Sequence, residues 1–367
     1  KKKILFFTGK RGGYGALTNI INLFKKDKKF QVIIVLSDMH LKDQFGKTLR
    51  EVKKKFRNII SIDIGKKSNS NLERTKSLSL LIKKFSVVLD NTKPDLVLLL
   101  GDRGETLAAT FTAVQMNIPV AHIQAGDISG GLDNIHRHAI TKLAHLHFSQ
   151  NEKQKNRVLD LGEEKNRVLN SGAPYIDNVL KSKLPGFAKV AKKLNLDFKR
   201  KKYSIILHHS DTYRQSKSYD EMKLILQTIN TLNIPSLIIY PCSDPGYLGI
   251  IRSIKEFGNS DNFKIFKSVE YKDFLSLLKN CSFLIGNSSS GIIEAPYFKI
   301  PFINVGKRQN KRDKCENVID VEPKKKLILK SIHFIKENKI FKKKLKLIKH
   351  PFGNGKSSMK IYKKIKK

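Results

Sequence analysis

The chain has 367 residues, 40% hydrophobic and 28% charged, which fits a globular protein of two domains and excludes a disordered one. Its apolar runs, such as Leu96-Val97-Leu98-Leu99-Leu100, fall far short of the roughly 18 residues that span a bilayer, so no membrane-spanning helix is expected. The formal charge of +40 is spread along the chain and carried mainly by Lys, without clustered Arg or any zinc-finger, RNP-like or zipper pattern, so a specific nucleic-acid partner is not expected while small anions should be attracted.

From the N-terminus, short β-branched apolar runs alternate with longer amphipathic ones, the pattern of parallel strands covered by helices. The first apolar run, residues 4–7 behind Lys1–Lys3, is too short for a signal-peptide core, and a cytoplasmic location is expected. Strands are predicted over residues 3–8, 32–37, 59–64, 95–100, 119–123 and 168–170. Helices are predicted near residues 14–24, 41–55, 72–89, 105–116 and 136–143. Around residues 174–184 the chain turns polar, and the Lys-rich stretch 186–202 reads as a linker with a short helix. The pattern then restarts, with strands at 203–207, 236–240, 263–266, 283–285 and 301–305, and helices near 219–232, 248–257, 271–278 and 291–297. The fold class is therefore α/β, with two Rossmann-like doubly wound domains, 1–180 and 181–345, and a terminal segment 346–367. Cys242, Cys281 and Cys315 form no CxxC pair, and neither a disulfide nor a metal role is expected.

Open α/β sheets bind ligands where polar residues follow the strands. The first strand ends in Thr8-Gly9-Lys10-Arg11-Gly12-Gly13-Tyr14-Gly15, a glycine-rich turn with two cations that matches neither a dinucleotide nor a P-loop fingerprint. Gly101-Asp102-Arg103 follows an unbroken apolar strand. The segment from His122 to His138 holds Gln124, Asp127, Asp133, His136 and Arg137 in a Gly-containing loop, a density that suits proton transfer. His136 and His138 diverge on a helix, so no metal site is expected there. In the second half His208-His209 follows a strand. Gly286-Asn287-Ser288-Ser289-Ser290-Gly291-Ile292-Ile293-Glu294 joins a strand to a helix, a phosphate cradle with Glu294 one turn in, near enough for ribose hydroxyls. Gly306-Lys307-Arg308-Gln309 offers a further cation.

Together with Arg137-His138-Ala139-Ile140-Thr141-Lys142, Ser171-Gly172-Ala173-Pro174 and Pro351-Phe352-Gly353-Asn354-Gly355-Lys356, these segments give the chain a resemblance, nearly end to end, to the hydrolysing UDP-N-acetylglucosamine 2-epimerases of sialic and legionaminic acid pathways. The resemblance implies a GT-B fold, two domains facing a cleft, with the last helix near 357–365 crossing back onto the first domain. It implies that Arg11, Arg103, His209, Ser288, Ser289, Glu294 and Arg308 contact the uridine diphosphate, with Ser290 in the same cradle, and that Asp102 and Asp133 are acid/base carboxylates. The implied reaction expels UDP from C1 and a proton from C2, then hydrates the glycal to free N-acetylmannosamine. No cofactor is implied, and a homodimer or homotetramer is expected. Gln124 departs from the pattern, standing where many members carry a third catalytic carboxylate, with Asp127 nearby to compensate. Ser210-Asp211, Cys242, Lys10 and Gly12-Gly13 also depart, leaving open UDP-diacetylbacillosamine or GDP-GlcNAc as substrate, a non-hydrolysing reaction, a GT-B glycosyltransferase or a nucleotide-sugar binder without turnover.

Overall fold

A computed structural model describes residues 1–65 and 69–367. Two compact units emerge, residues 1–181 with 351–367, and residues 182–350. The first holds strands β1 (Lys2–Thr8), β2 (Phe30–Ser37), β3 (Ile59–Ile62), β4 (Leu96–Leu100), β5 (Val120–Ile123), β6 (Leu146–Ser149) and β7 (Val168–Asn170). All pair in parallel, in the order β3-β2-β1-β4-β5-β6-β7. Its helices are α1 (Arg11–Lys26), α2 (Leu49–Lys53), α3 (Asn71–Thr92), α4 (Gly104–Gln115), α5 (Leu132–Leu143), α6 (Glu152–Asp160) and α7 (Pro174–Lys181).

Sheet burial explains the apolar runs. β4 is buried at all five residues, because a strand covered on both faces has no solvent side on which to place polar groups. Leu5, Phe7, Val97 and Leu99 pack against Leu81, Phe85 and Leu89 of α3 and Ala109 and Ala113 of α4. Each large side chain so buried contributes roughly 1.5–3 kcal/mol. α3 begins with a capping box in which Ser70 and Glu73 satisfy each other's backbone N–H.

The second unit holds α8 (Phe187–Lys193), β8 (Ser204–Leu207), α9 (Ser218–Thr231), β9 (Ser236–Ile239), α10 (Tyr247–Phe257), β10 (Phe263–Phe266), α11 (Tyr271–Asn280), β11 (Phe283–Gly286), α12 (Ser290–Ile293), β12 (Phe302–Val305), β13 (Val318–Val321), α13 (Lys325–Glu337) and α14 (Lys339–Lys346). Its parallel sheet runs β10-β9-β8-β11-β12-β13. The chain then returns to the first unit as α15 (Ser357–Lys366). There Asp177 accepts the Ser357 and Ser358 N–H groups at 3.0 and 2.6 Å, capping α15, and the Tyr362 ring lies 5.1 Å from Phe24. Among the described residues no helix is long and apolar enough to cross a membrane.

The structure corrects several expected elements. The helix expected over 41–55 is broken into 3-10 turns and the short α2, because Gly46 and Lys47 take positive φ values of 85° and 42°. The polar stretch at 174 is the helix α7, started by Pro174 at a position where its missing N–H costs nothing. The helix expected over 291–297 is a single α turn followed by a 3-10 turn. β6, β13, α6, α13 and α14 went unread.

Candidate active site

In a doubly wound sheet the crevice opens where strand order reverses. In the first sheet that point lies between β1 and β4, and in the second between β8 and β11. The loops that leave those four strands carry Gly9–Arg11, Gly101–Arg103, His208–Asp211 and Asn287–Ser289. The polar segments singled out in the sequence therefore stand at the two switch points.

In the first unit the central group is Arg137, on α5, whose side chain is fully buried. It donates through Nη2 to Asp102 Oδ2, and through Nη1 to the Asp127 carbonyl at 3.1 Å and Ser129 Oγ at 3.3 Å. Burial opposes its charge, but Asp102, Asp127 and Asp133 outweigh that and raise its pKa above the usual arginine value. Lys10 Nζ stands 4.0 Å from Asp102 Oδ1, so two cations flank this carboxylate. Asp133 lies half-buried in the first turn of α5, and Arg11 half-buried at the start of α1.

Gln124 follows β5 at φ +77°, a left-handed conformation that costs a non-glycine residue of order 1–3 kcal/mol. Its Nε2 donates to Asp127 Oδ2 at 3.2 Å, while Asp127 Oδ1 accepts from Gln154 Nε2 at 3.1 Å and the Ile128 N–H at 2.9 Å. Asp127 is thus tethered by three donors and 1% exposed. His122 is wholly buried between the Gly101 carbonyl, 2.8 Å from Nε2, and Thr141 Oγ1, 3.3 Å from Nδ1; burial pushes its pKa down to about 3. It is a neutral strut. Burial also lowers His136, partly offset by Asp102 and Glu105, and His138, assisted by Arg137 and Arg157.

Arg103 is held within the first unit. Expected on the diphosphate, it is 3% exposed, with Nε donating to Glu105 Oε1 at 2.6 Å and Nη2 3.7 Å from Asp38. Its guanidinium is turned into the protein, a direction that strand-tip spacing does not encode.

In the second unit His209 is placed by two groups. The Cys242 N–H donates to its Nδ1 at 3.0 Å, which leaves Nε2 as the protonated nitrogen of the neutral ring. Asn287 clamps its backbone: Oδ1 accepts the His209 N–H at 2.7 Å and Nδ2 donates to its carbonyl at 2.8 Å. The Asn287 carbonyl in turn accepts from Gln309 Nε2 at 2.8 Å and Arg308 Nη1 at 3.3 Å. Arg308 Nη2 lies 3.7 Å from Asp244. One buried amide thus ties three expected site segments together.

β8 and β11 approach so closely here that a Cβ on Gly286 would lie 2.2 Å from the Leu207 carbonyl, and Gly286 has φ +135°. Only glycine fits. Beyond it Ser288 Oγ accepts the Ser290 N–H at 3.3 Å, with Ser289 and Ser290 half-buried. Glu294 is 2% exposed and accepts from Tyr271 Oη at 2.9 Å. His208, by contrast, points to Glu221 at 3.2 Å, and Ser210 Oγ donates to the Pro245 carbonyl at 2.6 Å; both are internal. Among the described residues no three His, Cys, Asp or Glu side chains are grouped to hold a metal ion.

Arg137 and Asn287 lie in motifs the sequence displays, but their roles were missed. The only signal was their place beside reactive residues, and which neighbour each would reach depends on strand pairing.

Comparisons with known proteins agree with this architecture. The chain is 32% identical to the UDP-N,N'-diacetylbacillosamine 2-epimerase (hydrolyzing) of Legionella pneumophila over 100% of this chain and 96% of the relative. It is 34% identical to the GDP/UDP-N,N'-diacetylbacillosamine 2-epimerase (hydrolyzing) of Campylobacter jejuni over 88% and 85%. Among solved structures, the Methanocaldococcus jannaschii UDP-GlcNAc 2-epimerase in complex with UDP-GlcNAc and UDP superposes with a TM-score of 0.82 at 22% identity, over 99% of both chains. The fold is the two-domain α/β architecture of the GT-B type. The family model for UDP-N-acetylglucosamine 2-epimerase matches residues 22–366, and the chain belongs to that family.

Proposed function

We propose that the chain is a hydrolysing 2-epimerase that converts a UDP-linked 2-acetamido sugar into UDP and the free 2-epimer. The observation that carries this reading is the gathering of Asp102, Asp127 and Asp133 around the buried Arg137 at the first switch point. A transferase has no need of carboxylates poised for proton exchange on the sugar.

The roles are those that the family resemblance implies for these positions. Asp102, flanked by Arg137 and Lys10, removes the C2 proton as the C1–O bond to UDP breaks, which leaves a glycal. To charge that builds on the departing diphosphate the second unit offers the His209 Nε2–H, the Arg308 guanidinium and the Ser288–Ser290 segment, with Glu294 for ribose hydroxyls, and the first unit offers the Arg11 guanidinium. Water then adds at C1, and a carboxyl group on the other sugar face, assigned to Asp133, returns a proton to C2. The sum is nucleotide sugar plus water giving UDP and the free epimer. Gln124 cannot exchange protons, so Asp127, which it tethers, is the remaining acidic group of that loop.

The Legionella and Campylobacter relatives support UDP-N,N'-diacetylbacillosamine as the first substrate to test, with UDP-GlcNAc, expected from the motifs, beside it. Proton NMR of each in D2O should show free UDP and a free 2-epimer deuterated at C2. A sugar that epimerises while still on UDP, or stays unchanged until an acceptor is added, would sink the hydrolytic reading.

A further inference from the structure

Behind the strand tips of the first unit lies a buried ionic cluster that the proposed chemistry does not use. Asp38, in the turn after β2, and Glu105, in the first turn of α4, are each 1% exposed. Arg74 of α3 bridges them, Nη1 donating to Asp38 Oδ2 at 3.0 Å and Nη2 to Glu105 Oε2. Arg103 joins Glu105, and Lys42 Nζ donates to Asp38 Oδ1 at 2.9 Å. Replacing such a cluster by apolar groups is often neutral or stabilising, so stability alone does not account for three cations and two carboxylates in this place.

The cluster touches both tips of the switch point. On the β1 side, the Met39 N–H donates to the Gly9 carbonyl at 3.1 Å, which ties the Asp38 turn to the loop that leads into Lys10 and Arg11. A Cβ on Gly9 would lie 2.5–2.9 Å from Glu105 Cγ, Oε1 and Cδ, so that loop rests directly on the Glu105 side chain. On the β4 side, Arg103 is the residue after Asp102, and its guanidinium is anchored in the cluster. Asp38 itself is held at φ +48°, a strained conformation that persists only where its surroundings enforce it.

We propose that Arg74, acting through Asp38 and Glu105, is a positioning residue that holds the Gly9–Arg11 loop and Asp102 in fixed relation to each other. Its effect on turnover rests on the 2-epimerase reading; its effect on the two tips does not.

The test compares the full-length protein with Arg74→Met, Arg74→Lys and Gly9→Ala, by hydrogen exchange of peptides covering 9–15 and 101–106 and by steady-state kinetics. In Arg74→Met both peptides should exchange roughly tenfold faster or more. Turnover should drop about 10- to 100-fold, with a smaller rise in KM from the displaced Arg11, the signature of a displaced catalytic group beside a loosened binding contact. Arg74→Lys should recover part of that loss, since an ammonium cannot bridge two carboxylates as a guanidinium fork does. Gly9→Ala, which pushes on Glu105 from the opposite side, should reproduce the turnover defect and carries the test with Arg74→Lys if Arg74→Met does not fold. Wild-type exchange at both peptides, with kcat within about twofold of wild type, would overturn the proposal. If the wild-type protein turned over no nucleotide sugar, the epimerase reading would fall while the exchange data still decided the positioning role.

Discussion

Replacing Asn287 by alanine probes the second switch point at its tightest place. The residue is 1% exposed, and its side chain makes both bonds to the His209 backbone, at 2.7 and 2.8 Å. Asn287→Ala strips these partners from one N–H and one carbonyl that water does not reach. Each buried group left unsatisfied costs about 1–3 kcal/mol, so the second unit should lose about 2–6 kcal/mol. That is a large share of the roughly 5–15 kcal/mol that stabilises a typical domain. With its backbone released, His209 would no longer hold its ring against the Cys242 N–H, and UDP affinity should fall about tenfold, or ~1.4 kcal/mol. Urea unfolding of the full chain and calorimetric titration with UDP measure the two effects. A stability loss below about 1 kcal/mol together with wild-type UDP affinity would refute the clamp.

Asp102→Asn and Asp133→Asn should each lower kcat by roughly 10²–10⁴ while UDP affinity changes little; wild-type turnover in both would remove them from acid/base chemistry. Arg308→Ala should weaken UDP binding roughly tenfold with a smaller effect on saturated turnover, checked by the same titration. Stability should decline below neutral pH. His40 and His122 are both wholly buried, which lowers their pKa values to about 4 and about 3 from an ordinary 6.5. Their folded values lie below the unfolded one, so the unfolded chain takes up protons first as pH falls through 6.5, and the stability present above that pH is progressively lost. Between pH 7.5 and 5.5 the two together should cost about 2–3 kcal/mol, read as a lower urea midpoint; an unchanged or rising midpoint would contradict their burial as neutral rings.

The strand tips were legible in the sequence because a parallel strand needs an unbroken apolar run, and the first polar residue after it marks the rim. Leu96–Leu100 followed by Gly101-Asp102 shows this plainly, as does Phe283–Gly286 followed by Asn287. β6 escaped because Leu146-His147-Phe148-Ser149 places a histidine inside the sheet, where Glu163, 3.1 Å away, partners it. The partners of Arg103 were hidden for a related reason. Its place beside Asp102 is a chain property, but the direction of its guanidinium depends on Asp38 and Glu105, brought there by β2 and α4.

The two switch points solve one problem with different chemistry. Each must hold two strand-tip loops at fixed separation without a regular ladder of backbone bonds between them. In the second unit a neutral amide, Asn287, does so, with Gln309 and Arg308 on its carbonyl. In the first, ions do so: Arg137 to Asp102, and Arg74 to Asp38 and Glu105. Buried pairs are little screened by salt, so moderate ionic strength should leave both intact. Acid separates them, because an amide does not titrate in this range whereas buried neutral histidines must gain protons on unfolding. As pH falls the first unit, which contains the buried His40 and His122, should therefore loosen before the second, and catalysis should fail in acid at a point where UDP is still bound.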